Sequence, residues 1–229
     1  MKVKLISSSE PTEELQKLGI ENAQDLIAYC ARVSNPANQF NTETSEKLIR
    51  YLINNQHWSP LEMVNACIEI ETTRDIARQI LRHRSFSFQE FSQRYANPLE
   101  LDVSFEFREA RLQDPKNRQN SVELDLTNEE HREINKLWLE KQQELVRHSK
   151  DVYTWAINNG IAKEQARCVL PEGNTVSRLY MNGTIRSWIH YISLRAGHGT
   201  QAEHMEIAKS CAIAINKVFP MSNEFVDNN

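Results

Sequence analysis

Between residues 63 and 82 the chain changes its hydrophobic period with no linker. "MVNACIEI" places Val64, Ala66, Ile68 and Ile70 at every second position, the pattern of a half-buried strand. "TTRDIARQILR" follows at once, with Thr72 or Thr73 available to cap a helix whose apolar stripe is Ile76, Ile80 and Leu81. A strand joined directly to a helix commits this part of the chain to a mixed core.

The rest of the sequence continues in the same irregular order. "KVKLIS" alternates Val3 and Leu5 as a first strand, and residues 23–31 and 44–55 have helical spacing, with Leu48, Tyr51 and Leu52 on one side of the second helix. "VSFEF" returns to period two with Val103, Phe105 and Phe107 inward, and "RLQDPKNRQNS" reads as a loop. Thr127 with Glu130 forms a capping-box pattern. It opens a long helix through Ile134, Leu137, Trp138, Leu145, Val152 and Trp155 that stops at Gly160, and both tryptophans read as packing residues. A shorter helix precedes "CVLP", "TVSRLYM" is a strand, and "NG" at 182–183 turns into the helix "TIRSWIHYISLR". A last helix starts near Thr200, with Glu203 in box position, and ends before Pro220. Strands mixed with long helices, without regular βαβ alternation, predict an α+β fold. No repeat or Gly/Ser/Pro linker divides the chain, so residues 1–229 are expected to form one domain.

Only six glycines are present, and none falls in GxGxxG or GxxxxGK[ST] order. Phosphates bound here would have to be held by side chains. A net charge of −4 argues against a broad grip on nucleic acid but leaves room for a local cationic pocket. Cys30, Cys67, Cys168 and Cys211 are far apart and are expected to be free, packed thiols. The seven histidines show no HExxH or HxH grouping, so no metal is expected. There is no apolar run that could span a membrane, and "MKVKLISSSE" lacks a signal-peptide core. The expected location is the cytoplasm, that of a host for a viral source.

The chemistry concentrates in "LRHRSFSFQEFSQRYA", residues 81–96. Gln79 and Arg82 lie one turn apart on a predicted helix end, so an amide and a guanidinium project together. Arginine stays charged and grips phosphate with a planar fork. Ser92 and Arg94 add a hydroxyl and a second fork. Spacing alone leaves two readings open: a phosphate pocket, or a solvated helix end whose arginines pair with Glu90 and nearby acids.

Arg82-His83-Arg84, seven intervening residues and Ser92 resemble the RHR-x7-S signature of the flavin-dependent thymidylate synthases. "ARQ" at 77–79 and Arg94-Tyr95 flank it as in that family. "HWSPLE" at 57–62, "ARCVLP" at 166–171 and "RSWIHYISLR" at 186–195 are similar to its other motifs, in order, over residues 57–210. The resemblance implies a curved, mainly antiparallel sheet surrounded by helices. It also implies a homotetramer with active sites shared between chains, and a methyltransferase activity. That activity converts dUMP to dTMP, with methylenetetrahydrofolate as carbon donor, FAD as cofactor and NADPH as reductant.

Carried over by position, the resemblance assigns dUMP contacts to Gln79, Arg82, Glu90, Phe91, Ser92, Gln93, Arg94, Arg167 and Arg195. It assigns FAD contacts to Ser59, Arg82, His83, Arg84, Glu90, Thr184, Ile185, Arg186 and His190, with His57 and Glu62 as weaker members. Arg195 would stabilise the deprotonated uracil ring. Arg186 and His190 are four apart in a predicted helix and share a face. Gln89 and Thr184 stand where asparagine is common, and "AGHGTQAEH" is longer than the usual segment after that arginine. The roles of His198, Gln201 and His204 therefore stay open, with helix-cap and polar-surface residues as the favoured reading. Cys168 is expected to be packed rather than nucleophilic.

Overall fold

A computed structural model of the chain describes residues 1–101, 104–197 and 199–226. In chain order its elements are β1 (Lys2–Ser8), α1 (Glu13–Gln16), α2 (Ala23–Ala31), α3 (Ser45–Asn54), β2 (Asn65–Thr73), α4 (Arg74–Ile80) and β3 (Ser87–Glu90). Then come β4 (Arg111–Gln113), β5 (Ser121–Glu123), α5 (Glu129–Asn158), α6 (Lys163–Ala166), β6 (Val176–Thr184), α7 (Ile185–Arg195) and α8 (Ala202–Ile215). The architecture is α+β with antiparallel sheets, as the pattern predicts.

The main sheet has the order β1-β2-β6-β3. At its centre β2 and β6 pair along their whole length, from Asn65 opposite Thr184 to Thr73 opposite Val176. Each strand runs directly into a helix, β2 into α4 and β6 into α7, and the two helices leave from opposite ends of the pair. Ala66, Ile68 and Ile70 of β2 and Leu179 and Met181 of β6 are buried with Trp188, Ile189 and Ile192 of α7 and Ile207, Ala208 and Cys211 of α8. Each large aliphatic side chain enclosed in this way contributes about 1.5–3 kcal/mol. The Trp188 indole N–H donates to the Ala66 carbonyl at 3.0 Å, so its one polar atom is satisfied inside the core.

Several expected elements differ. The pair "NG" at 182–183 makes no turn: β6 runs straight through it, and Thr184 caps α7 by accepting from Ser187 N. The segment read as a strand at 103–107 is not one. Val103 lies outside the described residues, Phe105 makes only an isolated bridge with Thr175, and Phe107 is exposed. Ser104 O accepts from Val176 N and Glu106 N donates to Asn174 O, both at 2.9 Å, and just beyond them the backbone turns to α5: Arg108 N donates to Gln142 Oε1 at 2.9 Å, Arg108 O accepts from Gln142 Nε2 at 2.8 Å, and Ala110 N donates to Asn135 Oδ1 at 2.7 Å. Amide side chains of α5 thus replace a strand partner. The stretch read as a loop instead holds the β4–β5 hairpin, Arg111 opposite Glu123.

The N-cap of α5 is Asn128, which accepts from Glu130 N and His131 N, whereas Thr127 donates to Asp125. The buried face of α5 is Gln142, Val146, Ser149, Tyr153 and Ala156. Trp138, Leu145 and Trp155, expected to pack, are exposed, as is Tyr51 on α3. The helix turns its hydrogen-bonding Gln142 and Ser149 inward and leaves the more apolar stripe outside. α8 begins at Ala202 without a side-chain cap, and Glu203 accepts from Gln201 rather than closing a box. The cysteines are free, but only Cys211 is buried and Cys168 is exposed.

Gly183 decides how the arginine-bearing loop is seated. A Cβ there would stand 2.6 Å from Cε1 of Phe86, and the Phe86 ring packs edge-on against Trp188 with centroids 4.8 Å apart. Phe86 thereby anchors the loop two residues after Arg84. Gly183→Ala is expected to destabilise the fold by about 1–3 kcal/mol, the usual range for overpacking. Chemical denaturation of the variant, alone and combined with Phe86→Leu, checks this: the smaller side chain should recover part of the loss.

Candidate active site

The end of α4 and the whole of α7 build the site. After its C-cap Leu81, α4 gives way to a turn closed by His83 N donating to Ile80 O at 3.0 Å. That turn exposes Arg82 and Arg84, neither of which has an ion pair or side-chain hydrogen bond among the described residues. Ser187 in the first turn of α7 donates through Oγ to Ser85 O at 3.1 Å, which holds the loop against the helix start. At the other end of α7, Arg195 Nε donates to Nε2 of His83 at 3.0 Å across 112 residues of sequence. The Nη groups of Arg195 have no acceptor among the described residues. The guanidinium is therefore aimed by one bond and leaves its fork available.

Several predicted flavin residues gather at the start of α7. Glu62, in the 3₁₀ turn Ser59–Glu62, is ion-paired with Arg186. Trp58 and His190 pack with ring centroids 4.4 Å apart. Thr184 uses its hydroxyl to cap, Ile185 N donates to Val64 O at 2.9 Å, and Arg186 N–H has no acceptor among the described residues. An available amide at the positive end of an 11-residue helix, with Arg82 and Arg84 alongside, suits a pyrophosphate. His57 is exposed beside Tyr51.

The remaining residues lie at the other end of α4. Glu90 accepts from Ser177 Oγ at 2.7 Å and pairs with Arg74 at 3.5 Å, which holds its carboxylate at the start of α4. Burial pushes the Arg74 guanidinium down, with the charges of Arg78 and Arg167 adding to this and Glu90 opposing it. Arg167 therefore stands near Arg74. Phe91 N donates to Arg178 O at 2.8 Å, and Arg94 pairs with Glu164 at 3.2 Å. Gln93 is buried and its Nε2 has no acceptor among the described residues. Glu90, Phe91 and Ser92 border an open hollow of about 600 Å³ with Tyr95, Arg178 and Tyr180. From Arg74 to Ile80 the helical rise is about 9 Å, and Arg82 lies beyond that end. One chain thus brings Gln79, Arg82, His83 and Arg195 together but holds Glu90–Arg94 and Arg167 apart from them.

Sequence reading missed the groups behind the site. His198 lies outside the described residues, but His204, read as a surface residue, is fully buried. Its Nε2 meets the Tyr191 hydroxyl at 3.2 Å and its Nδ1 meets Gln79 Oε1 at 3.2 Å. The Tyr191 ring packs edge-on against His83 at 4.9 Å. The available signal was the i, i+3, i+4, i+7 face of α7, Trp188, Tyr191, Ile192 and Arg195, which carries a hydroxyl and a cation amid core residues. Burial, then the Arg195 charge, holds His83 down at about 4. Burial, then Arg195 and His83, holds His204 down at about 3. Burial raises the Tyr191 phenol well above its usual range. At neutral pH the two histidines are uncharged and Tyr191 keeps its proton.

Comparison with known proteins gives the family. The family model described as "Thymidylate synthase complementing protein" matches residues 16–221. This chain belongs to the flavin-dependent thymidylate synthase family. It is similar to a probable flavin-dependent thymidylate synthase of Paramecium bursaria Chlorella virus 1, at 46% identity over 99% of each chain. The flavin-dependent thymidylate synthase of a Synechocystis strain is 48% identical over 96% of each. Among solved structures, the UMP/dUMP methylase PolB from Streptomyces cacaoi, bound with 5-bromo-dUMP, superposes with a TM-score of 0.78. It is 25% identical, and the match covers 98% of this chain and 93% of that one.

The neutral histidines give this flavin-dependent thymidylate synthase family member a pH signature. Both have folded pKa values below the ordinary value of about 6.5, so the unfolded chain binds more protons as pH falls below that value. Their contribution to stability is complete above about pH 6.5 and is lost as the pH falls toward about 4 for His83 and about 3 for His204. Thermal midpoints between pH 7 and 4 should fall less steeply for His204→Asn than for the unmodified protein. Equal slopes would remove His204 from the linkage.

Proposed function

We propose that the chain catalyses the reductive methylation of dUMP to dTMP, with methylenetetrahydrofolate as carbon donor, FAD as cofactor and NADPH as reductant. The observation that carries this reading is the Arg195–His83 contact at 3.0 Å, which joins the RHR loop to the far end of α7. Arg82, Arg84, Arg186 and the α7 N-terminus would hold the pyrophosphate of FAD, and Ser59, Thr184, Ile185 and His190 border the same place. A bound flavin supplies the hydride that completes the methyl group. The chain's own work is orientation and charge. His83, neutral and with Nε2 as acceptor, fixes Arg195 Nε and leaves the Nη groups to face the uracil ring as negative charge grows on it.

No cysteine is needed for this chemistry. Burial raises the thiols of Cys30, Cys67 and Cys211, and Cys211, the one nearest Tyr191, is enclosed. Cys168 sits on the 3₁₀ turn Arg167–Val169, on the Arg74 side of α4. The purified protein should be yellow and should bleach with NADPH. Arg195→Ala should lower the single-turnover rate at saturating dUMP by on the order of 100-fold. Cys168→Ala should remain active; a folded, flavin-loaded but inactive Cys168→Ala protein would point to a thiolate mechanism.

The dUMP site is completed between chains of a homotetramer. Support comes from the separation across α4 of Gln79, Arg82 and Arg195 from Glu90, Phe91, Ser92, Gln93, Arg94 and Arg167. The exposed Trp138, Leu145 and Trp155 along α5 also suit burial in an assembly. Mixed Arg195→Ala and Arg94→Ala chains should regain activity after subunit exchange, because some sites then draw both intact arginines from different chains. Verified hybrids no more active than either parent would favour sites built within one chain.

A further inference from the structure

Five side chains behind the site form a hydrogen-bond chain that can run in only one direction. Glu203 ends it. Its carboxylate only accepts, so Gln201 must offer its amide nitrogen, and does so at 2.9 Å. Gln201 then presents its carbonyl to Gln79, whose Nε2 donates at 2.8 Å. The Gln79 carbonyl in turn faces Nδ1 of His204 at 3.2 Å, so Nδ1 carries the proton. Nε2 of His204 is left as an acceptor and receives the Tyr191 hydroxyl at 3.2 Å. Turning any one amide around would set donor against donor or acceptor against acceptor.

Both ends of this chain are fixed. Arg108 Nε lies 3.6 Å from Glu203 Oε1, and the same guanidinium donates to Asp75 at 2.7 and 2.8 Å and to Thr73 at 2.6 Å. At the inner end His204 and Tyr191 are buried, where an unpaired polar atom costs about 1–3 kcal/mol. Gln79, between the two ends, is only half-buried.

We propose that Glu203, Gln201 and His204 are positioning residues that fix the orientation of the Gln79 amide, so that it meets dUMP as a hydrogen-bond donor. This rests on the reading above that Gln79 contacts dUMP. Its carbonyl is turned inward to buried His204 and one N–H is used by Gln201, so one N–H remains for the nucleotide. Gln79 therefore selects an acceptor oxygen on the ligand and rejects a donor in the same place, which would leave two N–H groups opposed.

Two measurements test this. In the unmodified holoenzyme, nitrogen NMR of the His204 ring should show a protonated Nδ1 and a bare Nε2; the opposite tautomer overturns the direction of the chain. The second is a double-mutant cycle on the dissociation constant for dUMP, read from the absorbance change of the bound flavin. Glu203→Gln can donate as well as accept, and so permits Gln79 to reverse. It should weaken dUMP binding on the order of tenfold in the otherwise native protein and leave it unchanged in a Gln79→Ala background. Equal weakening in both backgrounds overturns the proposal, because Glu203 would then act without Gln79. A native, flavin-loaded protein whose spectrum ignores dUMP would instead overturn the parent reading, and this inference with it.

Discussion

The full-length antiparallel ladder between β2 and β6 is the constraint on which the site depends. Its register sets Thr73 opposite Val176 and Thr184 opposite Asn65, so α4 and α7 start at opposite ends of one strand pair. Beyond the far end of α4, His83 receives Arg195 from the far end of α7. No loop length has to be tuned, because each strand passes into its helix without one. The interaction between two chemically important residues is thus inherited from backbone pairing in the middle of the sheet.

Around that contact, charge is managed by keeping the interior groups neutral. Two histidines stand close to a permanent cation, and burial suppresses their protonation before the cation does. A neutral His83 can accept from Arg195, whereas a protonated one would repel it. The same arrangement leaves Arg82, Arg84 and the Arg195 fork without counter-ions among the described residues, so positive potential gathers at the site of an acidic protein.

Strand and helix periods made much of this legible. Ala66, Ile68 and Ile70 alternate as read, and the RHR loop and the turn at Ser59–Glu62 both contact the first turn of α7. The failures share a cause. Phe105 and Phe107 have a strand's alternation, but Gln142 and Asn135, more than twenty residues away, take up the neighbouring backbone groups. Trp138 and Trp155 have helical spacing, but Gln142 and Ser149 claim the inner face with hydrogen bonds that no hydrophobicity pattern records. His204 looked like a polar surface residue for the same reason: its partners, Tyr191 and Gln79, lie on two other helices.

Helix α4 has seven residues, and its length carries information that most segments of the chain do not. One residue inserted within it would rotate the helix end and the loop before β3 by about 100° and advance them by about 1.5 Å. Gln79 would leave His204, and His83 would leave Arg195, while the sheet and the Arg74–Glu90 pair stayed in place. In α4 an insertion displaces several contacts at once, whereas a substitution at exposed Arg78 leaves the rest of the helix in register.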